Sequence, residues 1–410
     1  MNRVGRALKP LAIPFLAIIT AFIVGSIFIL VTDFEALSQL GTDPVGAIGG
    51  ALGTIGTAYY SMVIGALGDP EKIAAALADP STRKVAAALR PITETLVAAS
   101  PLIFTGLAVA ISFRSGVFNI GVEGQFVLGA FGATTVAIAL RDTGNPALIL
   151  VVATIGGILT GGLWGFIPGI LKAKTGAHEV ITTIMLNYVA AQIVLFGLRS
   201  DFLRQEGSSQ PISKVLSDFV RVPLIIDLGT GAALRLHWGF VIALLMAALV
   251  SWFLFKTTKG YELRAAGFNM HAARYAGMSA AGSIVIAMSL SGALAGLGGA
   301  LEVLGTVPQM SNDISPGYGF TAIALALLAG NRPAGIVAAA LLFGALTNGG
   351  GLMQVRTSIP LDLLRFIQAL VIMFVAAPGL IRWLYRFDRT RIPKAAGGEP
   401  PVATNEGGAA

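Results

Sequence analysis

Residues 118–125 read Phe-Asn-Ile-Gly-Val-Glu-Gly-Gln and bring two amides and a carboxylate, Asn119, Gln125 and Glu123, into an apolar setting. The runs Leu102–Phe113 and Phe126–Leu140 flank them. Amides in such surroundings hydrogen-bond between helices. A carboxylate at the centre of a bilayer costs about 3 kcal/mol unless it is paired or faces a watery cavity. Gly121 and Gly124 allow a tight turn or a close helix approach. Glu123 then has two readings. It locks the turn by accepting backbone N–H bonds or pairing with Arg114, or it lines a pathway for a solute. Thr182, Thr183 and Asn187 form a second polar stripe in an apolar run, directed either at a cavity or at a neighbouring helix.

Other chemistry is poorly represented. No G-x-x-x-x-G-K-[ST] occurs, so the chain has no P-loop for ATP. His178, His237 and His271 do not pair at metal-ligand spacing, cysteine is absent, and no nucleophile–base arrangement is visible. Neither an enzyme nor a cofactor or metal is expected.

The elements that position these residues are membrane helices. The chain of 410 residues is 55% hydrophobic and 12% charged, with a mean hydropathy of +0.79. A soluble surface needs more charge. Apolar runs of membrane-spanning length recur, and 51 glycines suit close helix packing. The reading is an all-α polytopic membrane protein with ten spans: 11–32, 93–113, 124–140, 147–171, 180–198, 238–256, 282–304, 318–331, 333–348 and 361–384. The first span is too long for a signal peptide. The segment 45–67, rich in glycine, reads as an outer-face or re-entrant element, followed by two short helices starting at Asp69-Pro70 and Asp79-Pro80. Glu302, near the outer end of the seventh span, is expected to reach water. Asn312, Asp313, Tyr318, Asn348 and Gln354 are expected in short outer loops. Phe320, Phe343 and Phe366 are candidates for stacking on a base, or for lipid or core contact.

Charge sets the orientation. With residues 1–10 inside, the inner segments hold sixteen Lys and Arg against five acids, and the outer ones twelve against fourteen. The short outer loops have almost no basic residues, so both termini are placed in the cytoplasm. The high pI reflects this topology rather than a nucleic-acid patch. The outer loops are 33–92 and 199–237, the membrane domain is 11–385, and the tail 386–410 has a disordered composition.

The loop 256–283 is the one long inner loop between spans. Asn269 can cap a short helix Met270–Tyr275, Gly267 and Gly277 can turn the chain at its ends, and Ala272 and Ala273 give it a small face.

Four stretches, Pro101–Ala108, Gly116–Gln125, Glu179–Tyr188 and Gly267–Gly277, resemble the permease subunits of bacterial ABC importers for ribose, branched-chain amino acids and nucleosides. The second and third are most similar to the nucleoside branch. The resemblance runs from about residue 90 to 385, and 41–92 fits it poorly. It implies an inner-membrane permease working with ABC ATPase subunits, a second permease and an extracytoplasmic substrate-binding lipoprotein. It also implies that 267–277 is the helix docking on the ATPase, with Arg264, Gly267, Asn269, Ala272, Ala273, Tyr275 and Gly277 as coupling residues. Asn119, Glu123, Gln125, Thr183 and Asn187 then form the pathway or structural polar motif. The implied cargo is a nucleoside or similar polar solute; a sugar, a branched-chain amino acid, or ion-coupled transport are the alternatives. Spans two to five and seven to ten read as two inverted sets, with the 116–125 turn and its counterpart, 315–320, on opposite sides.

Overall fold

The fold is described by a computed structural model covering residues 3–32, 38, 41–217, 219–228 and 234–385. The tail 386–410, expected to lack order, lies outside the described residues. So do residues 1–2 and parts of both long loops. The described residues are overwhelmingly helical, and β pairing among them is confined to isolated bridges such as Ile212–Ser311.

Helix α1 is Arg3–Thr32, α2 Pro44–Leu67, α3 Pro70–Ala78 and α4 Thr82–Arg114. Then come α5 Val122–Ala139, α6 Pro146–Thr175, α7 Glu179–Leu198 and α8 Gly239–Lys256. Two short helices follow, α9 Thr258–Phe268 and α10 Met270–Tyr275. The rest are α11 Ala280–Leu301, α12 Tyr318–Leu328, α13 Pro333–Thr357, α14 Leu361–Ala376 and α15 Pro378–Leu384. Polar caps start several of them: Asn145 accepts from Leu148 N–H at 3.1 Å ahead of α6, and Ser279 from Gly282 N–H at 3.1 Å ahead of α11.

Eight helical elements among the described residues are long and apolar enough to cross a membrane. They differ from the expected elements at five places. The first expected span, 11–32, lies in α1, whose apolar stretch Phe15–Val31 is shorter than any of the eight. The 45–67 segment, expected on the outer face or re-entrant, is one unbroken helix, and together with α3 it makes up one of the eight. Its glycines dilute the hydropathy but let α2 lie against α13, where a Cβ on Gly65 would come within 3.0 Å of the Gly349 Cα. The expected second short helix does not exist separately. Ser81 rather than Asp79 caps it, and it runs on as α4 through Pro91 and Pro101. The eighth expected span, 318–331, shrinks to the eleven residues of α12, roughly 16 Å of helix and too short to cross alone. The tenth, 361–384, is broken by an 87° bend between α14 and α15 at Pro378.

Packing ties the two expected sets together reciprocally. The first helix of one set lies along the third of the other: α4 along α13, and α11 along α6. The first helices α4 and α11 are antiparallel, Ala108 accepting from Ser291 Oγ at 2.7 Å while Phe104 abuts Gly298. At the α6–α11 seam, a Cβ on Gly296 would sit 3.0 Å from the Gly161 Cα. Gly296→Val therefore forces the helices apart and is expected to cost about 2 kcal/mol, read as a lower melting temperature in detergent. Gly351, with nothing within 4 Å of its Cβ direction, is the neutral control.

At the end of the bundle opposite α10, the 199–237 loop is stapled to the chain after α11. Val222 N–H bonds Leu304 O at 2.9 Å, Leu216 N–H bonds Pro308 O at 2.8 Å and Ser213 N–H bonds Met310 O at 2.9 Å. The last turn of α11 widens into a π-turn, Glu302–Thr306. His237 fits against it, Nε2 on the Thr306 hydroxyl at 3.0 Å and Nδ1 accepting from Gly239 N–H at 3.1 Å, so the neutral ring carries its proton on Nε2. Burial, then the positive charges of Arg221 and Arg235, push His237 down to about 4 from an ordinary 6.5. The unfolded state therefore binds the extra proton between those values. Stability from this residue is complete above pH 6.5 and lost as pH falls through 4, on the order of 3 kcal/mol in all. Melting temperature should fall from pH 7 to 4.5, and His237→Gln should flatten that dependence.

Candidate functional site

The polar motif begins where α4 ends. Arg114 turns away from Glu123: its Nε donates to Asn331 O at 3.1 Å and its Nη2 to Gly330 O at 3.0 Å, tying α4 to the α12–α13 connection. The expected Arg114–Glu123 pair is therefore absent. Residues 115–121 run from there into the bundle as a turn.

Asn119 and Gln125 are fully buried inside it. Asn119 Nδ2 donates to Gln125 Oε1 at 3.0 Å and to Ser291 Oγ at 2.9 Å, while its Oδ1 accepts from Gly121 N–H at 2.9 Å. Asn187 fixes the other side, accepting from Gly124 N–H at 2.9 Å and donating to Ile120 O at 3.0 Å. Thr183, buried one turn earlier, bonds its own helix at Glu179 O, 2.7 Å away. These amides thus bind helix to helix, each meeting the partners that a buried donor or acceptor needs.

Glu123 reaches across the two halves. Its Oε2 accepts from Gly319 N–H at 2.7 Å, and Ser315 adds a side-chain bond. The 116–125 turn and its counterpart 315–320 therefore meet in the interior. A Cβ on Gly319 would stand 2.6 Å from the Glu123 Cα, so only glycine permits the approach. Tyr318 beside it meets Phe126 edge-on at 5.5 Å. Glu302, expected to reach water, is buried at 6% exposure beneath the stapled loop. Tyr318, Asn348 and Gln354, expected in loops, belong to helices, the first to α12 and the other two to α13. Asn348 Nδ2 reaches Gly65 O and Pro91 O at 2.8 Å each. Phe343 is buried, Phe366 packs on Phe28, and Phe320 is half exposed.

The 256–283 segment lies at the end where α4 stops. Asn269 Oδ1 accepts from His271 and Ala272 N–H at 3.0 Å each, starting α10, and Gly277 turns out of it at φ +79°. Phe268 and Tyr275 are more than 90% exposed and Ala272 is exposed, whereas Ala273 is buried against its own chain. The small face expected to meet a partner is thus split between the two residues. Arg264 likewise stays with its own chain, its guanidinium over Phe255 at 5.2 Å and Tyr261 at 5.9 Å. Gly267 rests on the start of the 116–125 turn: a Cβ there would be 2.8 Å from Gly116 N. Gly116 itself has φ +71°, a region that favours glycine. The sequence motif marked Gly116 and Gly267 separately; their contact and the role of Gly319 were not visible in it.

Two helix sets thus meet through paired turns in a multi-pass helical membrane protein. The chain belongs to the family described as the permease component of the branched-chain amino acid transport system, whose model matches residues 92–376. It is similar to the guanosine ABC transporter permease protein NupP of Bacillus subtilis, 43% identical over 72% of this chain and 83% of that protein. The nucleoside ABC transporter permease protein NupB of Lactococcus lactis subsp. cremoris is 32% identical over 98% of each chain, so the similarity takes in the 41–92 region too. The glucose ABC transporter permease protein TsgB13 of Haloferax volcanii is 37% identical over 69% of this chain and 75% of its own. No solved structure matches.

Proposed function

We propose that this chain is the permease subunit of an ABC importer that carries a nucleoside across a bacterial inner membrane, with both termini in the cytoplasm. It works with ATPase subunits, a second permease and an extracytoplasmic binding lipoprotein. The single observation that carries the mechanism is the seating of Gly267 on Gly116, because it joins an exposed helix directly to the interior turn. The exposed face of α10, Tyr275 and Ala272, meets the ATPase, and Asn269 and Gly277 hold its shape. When ATP closes the ATPase pair, α10 moves and Gly267 presses on the 116–125 turn. Asn119, Gln125 and Asn187 make that turn stiff, so Glu123 passes the displacement to Gly319 and the opposite turn. Rocking of the two helix sets then exposes the pathway alternately to each side.

The nucleoside reading is supported by the relatives from B. subtilis and L. lactis, and a sugar by the one from H. volcanii. Competition separates them. In cells that depend on this chain, uptake of labelled guanosine should be suppressed by unlabelled nucleosides and not by glucose or leucine. Suppression by glucose instead would assign the sugar.

A further inference from the structure

Between α4, α12, α13 and α14 lies a cavity of about 350 Å³, within the range that holds small solutes. Tyr318 forms part of its lining, next to the Gly319 that meets Glu123. Leu102 and Phe343 give it apolar and aromatic wall, and Thr347, Arg365 and Gln368 line its polar side.

The surface at its mouth differs from the apolar face of α6. The exposed face of α6 carries Leu148, Val151, Ile155, Leu159, Leu163 and Phe166 in sequence, as contact with lipid requires. Helix α14 instead exposes Asp362 and Arg365, paired at 3.1 Å. One turn further, Gln368 Nε2 donates to Thr347 Oγ1 at 3.2 Å. Charged and amide groups on a membrane helix face a watery path or a protein partner rather than hydrocarbon. The other side of α14 is taken by α1, with Phe28 against Phe366. Of this stripe Arg365 and Gln368 line the cavity, and Asp362 stands beside it in the first turn of α14.

Arg365 is the one formally charged residue in the lining, and Asp362 offsets it. A solute with its own net charge finds no uncompensated counter-charge here, and burying it would be costly. The Gln368 amide both donates and accepts, and its bond to the exposed Thr347 hydroxyl is easily exchanged for one to a solute. We propose that this cavity is a solute subsite on the transport pathway, taking an uncharged molecule that joins a flat aromatic ring to hydroxyl groups. The proposal rests on the nucleoside reading given above. Its floor is the 315–320 turn, so the motion passed through Glu123 would open or close the subsite itself.

The chain contains no cysteine, so single cysteines report cleanly. In membranes holding the assembled transporter, a membrane-impermeant thiol reagent should modify Ala369→Cys, in the cavity lining, about tenfold faster than Leu163→Cys on the apolar face. Guanosine should slow that reaction and leucine should not. Gln368→Leu should raise the half-saturating guanosine concentration about tenfold, the worth of one hydrogen bond, with a smaller change in maximal uptake. Equal reaction of the two cysteines, or equal protection by leucine, overturns the subsite. If the unsubstituted transporter takes up no nucleoside, the functional reading fails as well. If it does and Ala369→Cys is unprotected, the subsite alone fails.

Discussion

Replacing Gly319 by valine should abolish most nucleoside uptake while ATP hydrolysis by the assembled transporter continues. The added Cβ would fall 2.6 Å from the Glu123 Cα and 2.9 Å from its Cβ. Neither atom can yield without moving the start of α5, which Asn119, Asn187 and Gln125 hold by hydrogen bonds. The 315–320 turn must withdraw instead, and the Glu123–Gly319 bond is lost. Overpacking of this kind costs about 2 kcal/mol, equivalent to about a thirtyfold loss if it falls on the transport step. Glu123→Gln keeps an acceptor oxygen and should be mild; Glu123→Ala should resemble Gly319→Val. Uptake by Gly319→Val near that of the unsubstituted chain, at equal abundance in the membrane, would remove the two-turn contact from the mechanism.

The second large effect is expected at Gly267. A valine there drives its Cβ to 2.8 Å from both Gly116 N and the Ser115 carbonyl carbon, so α9 and α10 lift from the turn. The exposed side of α10 is untouched, and the ATPase should still bind and hydrolyse ATP. Uptake should fall by about thirtyfold, again from roughly 2 kcal/mol of overpacking, and ATPase activity should lose its dependence on loaded binding protein. Tyr275→Ala acts on the opposite face. Its exposed ring belongs to no contact within the chain's core, and its loss should weaken recovery of the ATPase on purification. The contrast between the pair separates transmission through the loop from docking on it.

How much of this was readable beforehand depended on how local each cause is. Asn269 caps α10 through bonds two and three residues away, so its sequence context sufficed. The polarity of Asn119, Glu123 and Gln125 in an apolar run also announced itself, as did the inverted order of the two helix sets. The partner of Glu123 did not, because it lies 196 residues away and is a glycine whose importance is the side chain it lacks. Arg114 was the nearer cation and the natural guess, but its geometry at the end of α4 serves the 330–331 carbonyls better. The glycine-rich 45–67 segment folds as the single helix α2, where Gly65 permits the contact with Gly349. Hydropathy overstated 318–331, where Gly330 and Asn331, both at positive φ, stop the helix early. Gln368 and Thr347 looked like ordinary residues of two spans until packing placed them on one cavity.

The source of energy is the point on which everything else depends, and it is measured by uptake in proteoliposomes. Vesicles holding this chain with its partner permease, ATPase subunits and binding protein should accumulate labelled guanosine only when hydrolysable ATP is supplied on the ATPase side. A sodium or proton gradient should add nothing. Guanosine accumulation driven by an ion gradient in vesicles holding this chain alone would contradict an ATP-powered permease.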